Sequence, residues 1–222
     1  MRDYFSTGNL ARAIAIAAAA TLMSVPRIVL GGTDPALLVP AAFLSMVFVC
    51  GAATAWSGRG GMSGLFPRPL RIAATLAPPA ALAAVLVPLY AVFLDPVLRS
   101  VLAASVDDRA FSLMYPATAG AWIAAVLWSA GFETLLFQAA PMSVLSRVTG
   151  DWRAALVLTV ATRLYVLGRQ LASLGVTDSV PVFAAGAAAT TALGCILFAR
   201  GGILPAACLA AALDLHLLFG QD

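Results

Sequence analysis

Seven apolar runs divide this chain, at roughly 8–30, 36–56, 70–94, 116–146, 152–172, 180–199 and 202–219. Each is close to the ~20 residues that carry an α-helix across a bilayer. Between them lie short segments of turn-forming residues: GGTDP, SGRGGMSGLFPRP, DPVLRSVLAASVDDR, VTGDWR, LGVTDSVP and ARGG. No soluble domain fits in any of these gaps. The segment 95–115 is expected to form a short amphipathic or interfacial helix. Charge supports the same reading. Asp, Glu, Lys and Arg make up only 10% of the 222 residues, against about a quarter in soluble domains, too few to cover a water-facing surface. The expectation is an all-α, polytopic transmembrane helix bundle of about seven spans.

The first run follows a basic start, as a secretory signal does, but its apolar part exceeds the ~7–15 residues of a signal core. It is read as a retained span. All 13 basic residues are arginine, and with the abundant alanine this suggests a bacterial genome and the bacterial cytoplasmic (inner) membrane. Placing the N-terminus in the cytoplasm puts Arg2, Arg12, Arg59, Arg68, Arg71, Arg147, Arg153 and Arg200 inside, and Arg27, Arg99, Arg109 and Arg169 outside. That asymmetry follows the positive-inside tendency. The acids Asp34, Asp95, Asp107, Asp108, Asp178 and Asp222 fall outside. A pI near 9.1 therefore reflects flanking arginines and implies no nucleic acid partner; the partners expected are the lipid bilayer and a membrane-anchored protein or peptide.

Glu133 is the single glutamate of the chain and sits inside an apolar run. Ionisable groups at bilayer depth are costly and mark functional sites by default. Leaving aside the arginines assigned above to the two membrane faces, four are read as lying within the spans: Glu133, Arg163, Asp214 and His216. Glu133 precedes Arg147 by 14 residues, Arg163 follows Trp152 by 11, and Asp214 follows Arg200 by 14. At about 1.5 Å per residue all three reach similar mid-membrane depth, so a shared interior site is expected. The plainer alternative is a buried Glu133–Arg163 pair that fixes helix packing. His216 stands two residues from Asp214, about 200° around an α-helix, and is read as interfacial rather than facing the same site.

Other features carry packing rather than chemistry. Cys50, Cys195 and Cys208 lie in apolar runs without metal or disulfide spacing. One histidine without co-facing ligands forms no usual metal cage, and no cofactor is expected. GMSG at 61–64 lies in a glycine-rich turn, and AAGAAATTALG at 184–194 permits close helix contact. Pro78–Pro79 is expected to kink the third run, and 116–146 is long enough to be tilted or broken at Gly131.

The sequence ETLLFQ from Glu133, the following MSVLSRVTGDW, and FARGGILPAACLAAALDL from Phe198 together resemble the CAAX-protease and bacteriocin-processing family of intramembrane glutamic proteases. Its pattern is E-E-x-x-x-R, then F-x-x-x-H, then H-x-x-x-N/D. The resemblance divides the chain into N-terminal transmembrane helices with an interfacial loop, 1–114, and core helices, 115–222. Glu133 falls on the first glutamate and Asp214 on the Asn/Asp position. Thr134, Gln138, Thr162, Val166 and Ala210 stand where the family has its second glutamate, arginine, phenylalanine and two histidines. The resemblance implies an endopeptidase with Glu133 as base and Asp214 as orienting partner, and Arg163 is near enough to Thr162 to help electrostatically. Alternatives are a catalytically inactive relative that binds a membrane partner, and a small transporter or permease subunit.

Overall fold

The structure, a computed structural model, describes residues 3–67, 72–173 and 180–218. Arg2, Arg68, Arg71, Asp178 and Asp222 lie outside the described residues. Among those described, the chain is all-helical, as expected where no water is present to satisfy backbone polar groups. The helices are α1 (Thr7–Leu30), α2 (Pro35–Trp56), α3 (Ile72–Leu89), α4 (Asp95–Ser105), α5 (Asp108–Met114), α6 (Ala119–Leu127), α7 (Ala140–Thr149), α8 (Trp152–Ser173), α9 (Val180–Gly201) and α10 (Ile203–Leu213). A π-helical turn, Tyr90–Leu94, joins α3 to α4. Two more, Trp128–Glu133 and Leu135–Ala139, join α6 to α7, and a 3₁₀ turn, Asp214–Leu218, ends the last helix.

Five helices are long and apolar enough to span a membrane: Thr7–Leu30, Pro35–Trp56, Ala73–Ser105, Ala119–Thr149 and Val180–Gly201. The other two apolar runs are helical as well. One is α8, which carries Arg153, Arg163 and Arg169; the other is the shorter Ile203–Leu218. Two boundaries differ from expectation. The third run continues past Leu94 through the π turn to Ser105, with Pro78 and Pro79 inside helix α3. Asp95, expected at the start of an outer loop, is thereby carried into the bundle, where it is 3% exposed. The fourth run is not broken at Gly131. It is wound more widely there, and Gly131 lets Met23 of α1 pack closely.

Small residues lie inside and large apolar ones outside. Ala13, Ala17, Ala20 and Ser24 form the buried stripe of α1, against Met46, Cys50 and Ala53 of α2. Leu22, Phe48 and Val157 are 71%, 67% and 67% exposed. Helices in lipid gain little by hiding large apolar side chains, and pack instead through small ones. Helix α3 packs on α10, and α1 packs on the turn that contains Glu133, so the first 114 residues and the remainder form one bundle. The segment after α2 closes one end. Ser63 donates to the Ala199 carbonyl, Ile203 to Leu65, and Trp152 to Gly60. Arg59, Arg147, Arg153 and Arg200 gather at this end, Arg147 over the Trp56 ring.

Candidate functional site

Glu133 is placed by an irregularity in its helix. Residues five apart lie about 140° apart on an α-helix. The wider i→i+5 turn brings them onto one side, and Trp128 Nε1 donates to Glu133 Oε1 at 3.0 Å. The Trp128 ring stacks on Phe132 with centroids 4.4 Å apart. The buried Thr134 hydroxyl donates to the Ser129 carbonyl at 2.8 Å, which holds the wide turn from within.

Glu133, Arg163, Asp214 and His216 all line one cavity of about 260 Å³, with Ser129 and Gln138. The rest of its wall is mainly apolar, including Phe137, Phe183 and Leu209, with Tyr90, Thr190 and Thr191 among them. A smaller cavity of about 250 Å³ shares Ser129, Glu133, Asp214 and His216 and is also lined by Arg27, Tyr115 and Trp128. The three residues proposed from depth alone therefore meet, and the fourth joins them. Arg163 does not pair with Glu133: no ion pair within 4 Å joins them among the described residues, and its guanidinium lies 4.0 Å from the Phe137 ring centroid. Asp214 Oδ2 and Gln138 Oε1 are buried without a hydrogen-bond partner, unusual in a finished interior.

Contrary to expectation, His216 does not face away from the site but lines the same cavity as Asp214. Its side chain is 13% exposed, with Nε2 3.5 Å from Asp95 Oδ1. Its Nδ1 meets the Leu213 carbonyl, and the Tyr90 ring stands edge-on at 5.5 Å. The 3₁₀ turn explains the difference: tightening to three residues per turn narrows the angle between Asp214 and His216 from about 160° to about 120°.

Positions aligned with the family motif divide. Ala210 lines the cavity, whereas Thr162 is exposed and its hydroxyl is bonded to its own helix at Leu158. Comparison of the chain with models of known families, with curated proteins and with solved structures gives no match. Sequence reasoning missed Trp128, Ser129, Arg27 and Asp95. For Asp95, one signal was present: an acid four residues before Arg99 at the edge of an apolar run.

Proposed function

We propose that this chain is an intramembrane endopeptidase of glutamic type, divergent from the CAAX-protease and bacteriocin-processing family it resembles. The observation that carries the reading is the apolar-walled cavity in which Glu133, fixed by Trp128, shares space with Asp214 and Arg163. In such a site Glu133 takes a proton from water as it attacks a peptide carbonyl. Asp214 orients the water. Arg163, permanently charged, lines the same cavity and can draw the developing oxyanion, an effect that fixed charge magnifies where bulk water is excluded. The apolar walls suit a segment of a membrane-anchored protein or peptide. In this reading α8 and Ile203–Leu218 also cross, giving seven spans with the N-terminus cytoplasmic in a bacterial inner membrane.

The test compares membrane-protein termini in host cells carrying the wild type, Glu133→Gln at matched expression, or a deletion. Terminal peptides lost in both altered strains support cleavage and name the substrate. A deletion phenotype with Glu133→Gln equal to wild type overturns it. That outcome favours a second reading, a binding protein without cleavage, to which the alanine and threonine at the family's motif positions point. Within the peptidase reading, Trp128→Phe frees the Glu133 carboxylate. It is expected to slow turnover about tenfold, the worth of one positioning hydrogen bond of about 1.4 kcal/mol, with little change in KM.

A further inference from the structure

We propose that His216 is the proton donor of this site and that Asp95 positions it. The inference rests on the peptidase reading and adds the group that protonates the departing amine. A carbonyl oxygen only accepts, so the contact with Leu213 places a ring proton on Nδ1. That leaves Nε2 as the atom that exchanges a proton. It faces Asp95 Oδ1 at 3.5 Å, a buried oxygen with no hydrogen-bond partner. The other oxygen, Oδ2, faces Arg99 Nε at 3.5 Å. Tyr115 lies beside Asp95, with the Arg99 guanidinium 4.5 Å from its ring centroid. Tyr90 walls the imidazole on another side. The groups around His216 are thus Asp95, Arg99, Tyr90 and Tyr115, with Glu133, Asp214, Arg163 and Arg27 lining the cavities it shares.

The step balances. Water oxygen bonds to the carbonyl carbon and its proton passes to Glu133. The C–N bond breaks as the Nε2 proton moves to the amine nitrogen, releasing a carboxylic acid and an amine. The proton left on Glu133 returns to Nε2 through cavity water, and both groups are reset.

His216 is the chain's single histidine, so ¹⁵N-histidine labelling reports one ring. In nanodiscs the neutral ring is expected as the Nδ1–H tautomer, with ring ¹⁵N shifts that change in Asp95→Asn. An Nε2–H tautomer, or ring ¹⁵N shifts unmoved by that substitution, overturns the assignment without reference to activity. On the substrate named by the terminal comparison, His216→Gln is expected to lower kcat about 100-fold, the lower range for acid–base groups, with KM kept. Asp95→Asn is expected to change the pH profile, and Asp95→Glu to restore part of it. Wild-type kcat and pH profile in His216→Gln overturn the donor role. If Glu133→Gln is silent too, the peptidase reading itself has failed.

Discussion

Glu133→Gln is expected to lower peptide cleavage about 10³-fold while leaving the fold intact. An amide oxygen still accepts from Trp128 Nε1, so the contact that seats the side chain survives. Only proton abstraction is removed, which for a positioned general base is worth about 10²–10⁴-fold. The change also takes a negative charge from a cavity that contains Asp214 and Arg163, so stability should shift by no more than about 1 kcal/mol. Turnover of purified protein in nanodiscs, beside thermal unfolding of the same samples, separates the two effects. Wild-type turnover in a well-folded Gln variant would remove Glu133 from the chemistry.

Gly202→Ala should give the largest loss of stability, about 3 kcal/mol, as strain and collision add. Gly202 has φ 77° and ψ −162°, a region essentially reserved for glycine. A Cβ there would lie 2.5 Å from the Leu65 carbonyl oxygen and 2.6 Å from Pro67 Cδ, and a backbone oxygen cannot swing aside. Helix α10, with Asp214 and His216 beyond it, is launched from this residue. The substitution should therefore lower the melting temperature by roughly 6–12 °C and displace Asp214 and His216 from the cavity. Gly150→Ala is the control. Gly150 is also left-handed, with φ 75°, but has nothing within 4 Å of its Cβ position, so about 1 kcal/mol is expected. Equal losses at the two positions would show that the contact with the Leu65–Pro67 segment contributes nothing.

The bundle was legible because bilayer solvent writes itself into composition: a run of some twenty apolar residues has few other uses. Depth was legible too. Helical rise is fixed, and counting residues from the flanking Arg147, Trp152 and Arg200 is enough to bring Glu133, Arg163 and Asp214 to one level. The expected end of the third run at Leu94 failed because Asp95 was taken as a boundary, when Arg99 and His216 give it partners inside.

The sequence by itself determined the apolar solvent, the helices and the common level of Glu133, Arg163 and Asp214, all of which follow from hydrophobicity and a constant rise per residue. Only the tertiary structure decided which way each charge faces. Azimuth depends on whether a turn is α, π or 3₁₀. Packing sets that choice: Met23 against Gly131 and the Thr134 hydroxyl on Ser129 in one helix, Leu213 and Asp95 around His216 in the other. Those few tens of degrees put Trp128 on Glu133 and bring the single histidine to the same cavity.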